Sequence, residues 1–322
     1  MFGLKKIQLP AVFAALLTMV ILGMSAPVMA QTPVEQIRLA PDELNPGAEY
    51  GRSVAMDGDL VAVGAGNADT ETLPNAGAVY LYRRHGQAYI PDAILEAPDP
   101  SDDAEFGRAV AIQGNRIFVG ARFAEVGGLR VGAVYVYRKY NKSWNFEQKI
   151  ISPVPEAEDN FGRALAVQGS LLLVTARKES QNASDVGGAY VYLFKGGSWT
   201  FQQKLTASDP TSSAYFGQSV AVQGGLVAIG ARNADPDAAG AVYLFRQSGN
   251  EWQEIAKVVP DDGNKNDNFG FSIAISGNLL VVGARRADTA EVEDTGAVYV
   301  YSLEGDSANF VARLTAGDSS EG

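Results

Sequence analysis

One short phrase, an aromatic residue followed by glycine, returns five times along this chain and limits what the chain can build. Tyr50-Gly51, Phe106-Gly107, Phe161-Gly162, Phe216-Gly217 and Phe269-Gly270 stand 56, 55, 55 and 53 residues apart. One residue later come the segments SVAM, AVAI, ALAV, SVAV and SIAI. A second marker keeps step, with Gly77, Gly132, Gly188, Gly240 and Gly296 opening GAVYLY, GAVYVY, GAYVYL, GAVYLF and GAVYVY. Between them an apolar run ends at Gly64-Ala65, Gly120-Ala121, Thr175-Ala176, Gly230-Ala231 and Gly283-Ala284. Self-similarity at such a period marks an array in which one supersecondary unit recurs and buries its apolar surface against its neighbours.

Each unit reads as four strands. The first meets a tight turn at Asp57-Gly58-Asp59, Gln113-Gly114-Asn115, Gln168-Gly169-Ser170, Gln223-Gly224-Gly225 or Ser276-Gly277-Asn278. Glycine there supplies the positive φ of a two-residue hairpin. The second strand, Leu171 to Val174 for instance, is apolar without alternation, as in a strand buried on both faces. In the third, Val134 and Val136 fall on one face and Tyr135 and Tyr137 on the other, so neither face is polar. The fourth carries Tyr89, Trp144, Trp199 or Trp252 ahead of Leu95, Ile150, Leu205 or Val258 and alternates with polar residues, which suits a half-exposed outer strand.

Such a sheet is apolar on both sides and must stack on copies of itself. Radial stacking does so with short edges, and units of this length suit it. The expected fold is therefore all-β, a β-propeller of five four-stranded antiparallel blades, with a β-solenoid or a row of sandwiches as the weaker alternative. Ser53, Ala55, Ala109, Ala111, Ser219 and Ala221 are small, as a crowded axis would demand. The repeats span approximately 43–98, 99–154, 155–208, 209–260 and 261–318.

These motifs, kept in order five times, resemble the FG-GAP repeat, the unit of the integrin α-subunit propeller and of many secreted bacterial proteins. The resemblance implies a propeller and a role in extracellular binding or adhesion, not catalysis. Integrin-type propellers have seven blades, so whether five close a ring is left open. Val34 to Asp42 and Asn309 to Asp318 both look like a fourth strand, giving one surplus terminal copy. A longer array, a strand covering an edge, or strand exchange between chains would account for it.

Residues 1–30 read as a signal peptide. Lys5 and Lys6 precede the apolar run Ala11 to Gly23, and Val28-Met29-Ala30 offers small residues at a cleavage site, so the mature chain, 31–322, begins at Gln31. That run of 13 residues is shorter than the roughly 20 that span a bilayer. The product is expected to be secreted, periplasmic or extracellular, without membrane insertion after cleavage. With no Cys and one His, disulfides, thiolate metal sites and thiol nucleophiles are excluded. His85 stands alone in a turn. A net charge of -11 argues against nucleic acid, which requires clustered cations.

In a propeller the loops between the second and third strands and the links between blades share one end. Here they carry the acidic residues, and Asp69, Asp235, Asp237, Asp288 and Glu291 mark the expected ligand-binding face. The best calcium candidate is Asp262, Asn264, Asn266 and Asp267, oxygen donors at close spacing. The loop lacks the Gly and Glu of an EF-hand, and Asx turn capping explains the same residues. Arg122, Arg177, Arg232 and Arg285 recur after the second strand, either as an anion clamp or, the reading favoured here, as structural pairs between loops. The tryptophans fit inter-blade packing better than sugar stacking. No catalytic residue is assigned. The expected function is a secreted, non-catalytic propeller that binds an extracellular protein or glycan. The alternatives are a hydrolase or lyase using loop carboxylates and a module of a larger surface assembly.

Overall fold

The structure is a computed structural model that describes residues 37–41, 43–71, 73–180, 183–234, 238–289 and 292–316. The leader and residues 34–36 and 42 of the expected N-terminal surplus strand lie outside them, and residues 37–41, the rest of it, form no strand. The chain divides into Met1–Ala40 and Pro41–Gly322, and the blades belong to the second unit. Among the described residues no helix is long and apolar enough to cross a membrane, which says nothing of strands.

Five four-stranded sheets follow one another. Blade 1 holds β1 (Tyr50–Asp57), β2 (Leu60–Ala65), β3 (Ala78–His85) and β4 (Ala88–Leu95). Blade 2 holds β5 (Phe106–Gln113), β6 (Arg116–Ala121), β9 (Ala133–Tyr140) and β10 (Ser143–Ile150), with a small hairpin of β7 (Glu125–Val126) and β8 (Leu129–Arg130) in its loop. Blade 3 is β11 (Phe161–Gln168), β12 (Leu171–Ala176), β13 (Gly188–Lys195) and β14 (Ser198–Leu205). Blade 4 is β15 (Phe216–Gln223), β16 (Leu226–Ala231), β17 (Ala241–Ser248) and β18 (Glu251–Val258). Blade 5 is β19 (Phe269–Ser276), β20 (Leu279–Ala284), β21 (Ala297–Glu304) and β22 (Ser307–Leu314). Every blade is an antiparallel meander, as the sequence predicts. Gly58, Gly114, Gly169, Gly224 and Gly277 all turn at positive φ, between 54° and 61°.

The apolar core lies between blades rather than within them. Tyr135 and Tyr137 pack with Leu60, Leu81 and Leu95 of blade 1, while Val134 and Val136 pack with Leu172, Val174 and Tyr190 of blade 3. The expected two-sided third strand is thus realised. Each phrase aromatic meets the tyrosine of its own third strand edge-on: Phe106 and Tyr135, Phe161 and Tyr190, and Phe216 and Tyr243 are each 5.5 Å apart. Trp199 and Trp252 are buried in these inter-blade cores, consistent with the packing role.

The small residues of the first strand serve the neighbouring blade. Ser53 Oγ donates to the Gly107 carbonyl at 2.7 Å, and Ser219 Oγ to that of Gly270 at 2.8 Å. A Cβ on Gly107 or Gly162 would lie 2.6 Å from the carbonyl oxygen of Ala78 or Ala133 in the preceding blade. A Cβ on Gly120 would fall on Gly162 O and 3.1 Å from Gly162 C. At the seams Gly64–Gly107, Gly120–Gly162 and Gly230–Gly270 glycine stands on both sides because backbone meets backbone. Thr175 takes the Gly120 position in blade 3 by accepting the Ala164 N–H on its hydroxyl at 3.0 Å.

Side-chain amides lock the blades laterally. Gln113 accepts from Gly169 N and donates to Gly169 O, at 2.6 and 2.7 Å, and Gln223 grips Gly277 in the same way at 3.0 and 2.8 Å. On the outer strands Gln148 brackets the Trp199 backbone at 2.8 and 2.9 Å, and Gln203 that of Trp252 at 2.8 Å on both bonds.

The two end blades show faces that the inner blades bury. Leu314 in blade 5 is 55% exposed, against 2% for its counterpart Leu205. In blade 1, Val54 and Met56 are 67% and 68% exposed, while Val110 and Ile112 pack against the preceding blade. Blades 1 and 5 therefore do not close on each other through these surfaces.

Candidate functional site

The loops between second and third strands and the links between blades do share one end. Glu158 N donates to Arg130 O, Ser213 N to Ser184 O and Asn266 N to Ala238 O, each joining a link to the loop beside it. The residue before each repeated phrase adopts a left-handed backbone: Glu49, Glu105, Asn160, Tyr215 and Asn268, with φ between 54° and 61°. For side chains such as Glu and Tyr this conformation is strained, and strain retained in every blade marks a position fixed by its surroundings.

Among the described residues, several carboxylates at this end are already engaged. Asp99 pairs with Lys149 at 2.7 Å. Asp209 accepts from Tyr243 Oη at 2.7 Å and pairs with Lys257 at 2.8 Å. Asp262 accepts from Tyr299 Oη at 2.9 Å and pairs with Arg313 at 3.2 Å. In each case the link carboxylate ties itself to the third and fourth strands of the following blade. Blade 3 substitutes its own Glu179, which accepts from Tyr190 Oη at 2.6 Å and pairs with Lys204.

Of the expected ligand-face residues, Asp69 and Asp288 cap their own loops, accepting from Asn75 N and Asp294 N at 2.9 Å each. Asp235, Asp237 and Glu291 lie outside the described residues. In the calcium candidate, Asp267 is buried and accepts from Asn264 N, three residues earlier, at 2.8 Å, while Asn266 sits at φ 73°. Burial raises the Asp267 pKa; the Asn264 N–H opposes the shift, and Asp288 and Asp262 add to it. Among the described residues no group of three His, Asp or Glu side chains is placed to hold a metal ion. His85 ends β3, exposed.

The arginines form the distinctive feature of this end. Arg122, Arg177, Arg232 and Arg285 sit just past β6, β12, β16 and β20. Arg52, Arg108 and Arg163 occupy the third position of β1, β5 and β11, a recurrence that the sequence shows but that the motif reading passed over. Arg122 is held by Glu105, with Nε 2.6 Å from Oε2, and lies over Phe123 at 4.3 Å. Arg285 Nε donates to Asn268 Oδ1 at 2.9 Å. Arg177 donates across the seam to Gln218 Oε1 at 3.0 Å. Arg177 and Arg232 share the Tyr215 ring, at 5.2 and 4.7 Å. Arg122 and Arg285 thus tie their loops to the links before β5 and β19, whereas Arg177 reaches Gln218 within β15 rather than a loop. Arg163 and Arg232 have no hydrogen bond or ion pair among the described residues, and their Nε atoms are buried without a partner.

Comparison with known proteins matches the FG-GAP repeat to residues 33–82, 91–137, 144–192, 199–245 and 252–301. The chain belongs to the FG-GAP repeat family. No curated protein matches it in sequence. Among solved structures, a protein from Lactobacillus plantarum is similar at 14% identity with a TM-score of 0.53, over 82% of this chain and 70% of that one. That likeness concerns the fold alone. FG-GAP membership and the five meander sheets make the molecule a β-propeller.

Proposed function

We propose that this FG-GAP propeller is an exported, non-catalytic binding module whose partner is an extracellular protein or glycan, recognised at the loop end. The observation that carries this reading is the contrast between frame and loops. Strand registers, turn glycines and seams repeat from blade to blade. The loops do not: blade 2 inserts the β7–β8 hairpin, blade 3 inserts Glu179 beneath its loop, and blades 1 and 5 build a turn on Thr70 and Thr289. A rigid frame carrying dissimilar loops is the usual arrangement for recognition. Because Asp69, Asp99, Asp209, Asp262 and Asp288 are engaged in caps and pairs, acidity alone is a weak determinant, and loop shape carries more of the specificity.

The test is a binding screen of the mature chain against extracellular proteins and glycans. In parallel, a chimera replaces the blade 2 loop with the shorter blade 4 loop. Binding lost in the folded chimera supports the reading. Binding indifferent to every loop exchange, or substrate turnover abolished by one carboxylate substitution, would overturn it.

A further inference from the structure

Among the described residues, several arginines at the loop end of the axis have no carboxylate partner. The first strands pack in succession, β1 on β5, β5 on β11, β11 on β15 and β15 on β19, which brings equivalent positions to one end of one axis. In blades 1 and 2 the residues before the repeated phrase are Glu49 and Glu105. Glu105 holds Arg122 and lies 3.8 Å from Arg108, and Glu49 lies 3.5 Å from Arg108 and 4.0 Å from Arg52. In blades 3 to 5 the same position is Asn160, Tyr215 and Asn268, all neutral, yet Arg163, Arg177, Arg232 and Arg285 remain.

Three of these side chains, Arg163, Arg177 and Arg232, hold buried Nε groups without partners. In blade 5 the corresponding Arg285 Nε is satisfied by Asn268; in blade 3 Arg177 Nε and Asn160 Oδ1 both stay unbonded. Burial lowers the Arg163 pKa, and the charges of Arg108, Arg177, Arg122 and Arg52 lower it further. Arginine does not surrender its proton in a protein. All three side chains are half-buried with Nε shut off from solvent, and a partly desolvated cation left unpaired is costly, since water can accept its hydrogen bonds but not cancel its charge.

We infer that the axial mouth between blades 3 and 4 binds a compact tetrahedral oxyanion, sulfate or phosphate, held by the guanidinium groups of Arg163, Arg177 and Arg232. Fork-shaped donors on a planar cation fit such an anion. Gln218 and Tyr215 position Arg177 and Arg232 for it, through the 3.0 Å hydrogen bond and the shared ring. The inference stands apart from the proposed function, because it concerns the axis rather than the variable loops.

The test uses the mature chain dialysed into chloride buffer and titrated with inorganic sulfate, inorganic phosphate or chloride at matched ionic strength, read by calorimetric titration and melting temperature. A monosaccharide sulfate and a monosaccharide phosphate form a second arm, which distinguishes a free ion from an ester. Saturable binding heat and a melting rise of a few degrees are expected for sulfate or phosphate and not for chloride. Arg163→Met should melt at or above the wild-type temperature in chloride, since it removes an unpaired, half-buried charge, and should abolish the saturable response. Arg232→Gln should weaken the affinity about tenfold or more. Absence of saturable heat in the wild type, an equal response in Arg163→Met, or a loss of several degrees by Arg163→Met in chloride would each overturn the inference.

Discussion

Replacing Gly120 by alanine isolates the contact that sets the spacing of the blades. Gly120 has an ordinary φ, so the added methyl group brings no backbone strain and its effect is steric. The new Cβ would occupy the space of the Gly162 carbonyl oxygen, lie 3.1 Å from Gly162 C and lie 3.4 Å from Ala109 Cβ. The first two obstacles are backbone of the next blade, held by the seam at Gln113 and Gly169, and cannot rotate away. Overpacking of this kind costs about 1–3 kcal/mol, and forcing two backbones apart belongs at the upper end. The narrower unfolded ensemble of alanine offsets roughly 0.4–1 kcal/mol. A net loss of about 2 kcal/mol is expected. Gly283 is the control: it is the same position in blade 5, and a Cβ there would meet only its own blade's Ser272, whose Oγ can swing aside. Gly283→Ala should therefore change stability by less than about 1 kcal/mol. Differential scanning calorimetry of the two variants, with urea midpoints as a second measure, makes the comparison. Equal losses in both, or no loss in Gly120→Ala, would show that the seam does not impose the glycine.

Further outcomes follow from the same geometry. Asp159 is 2% exposed and its carboxyl is pushed up to about 6, chiefly by burial; the Glu156 N–H opposes the shift, and the charges of Glu179 and Glu156 add to it. Since the folded pKa exceeds the ordinary 3.8, the native state keeps a proton that the unfolded chain loses, and stability falls as pH rises from about 4 through about 6. Asp159→Asn, which can still accept the Glu156 N–H, should remove that fall and stabilise the protein at pH 7 by up to about 2–3 kcal/mol in urea titrations. Gln203→Leu leaves the Trp252 N–H and C=O without their inter-blade partner; a cost of about 1–3 kcal/mol and faster amide exchange at Trp252 are expected, and unchanged exchange would refute the lock. Calcium followed by EDTA should leave the melting temperature unmoved, because Asp262 serves Tyr299 and Arg313 and Asp267 serves Asn264; a calcium-dependent rise lost in Asp262→Ala would return this loop to metal binding.

Blade content was legible along the chain because its causes are local. Turn glycines, the unbroken apolar second strand and the Val/Tyr alternation of the third act over a few residues, and each reappears where expected, from Gly58 to Gly277 and from Val134 to Tyr137. Even the stacking could be inferred, since a sheet apolar on both faces has no other way to bury them. The candidate site was legible only in outline. The sequence located the acidic loops, but not that Asp99 and Asp209 reach Lys149 and Lys257 some fifty residues later, nor that Gln113, Gln148, Gln203 and Gln223 grip the next blade. The recurrent Gln before a turn glycine was the available signal for part of that lock.

Tertiary structure alone decided which charges are spent and which are free. Arg122 and Arg232 hold equivalent places in the pattern, yet one faces Glu105 and the other a tyrosine ring. Their different electrostatic fates depend on residues set beside them by radial stacking. Hydrophobic periodicity specifies the sheet because it is a property of neighbours in sequence; charge balance at the axis is a property of neighbours in space, and those come from several blades at once.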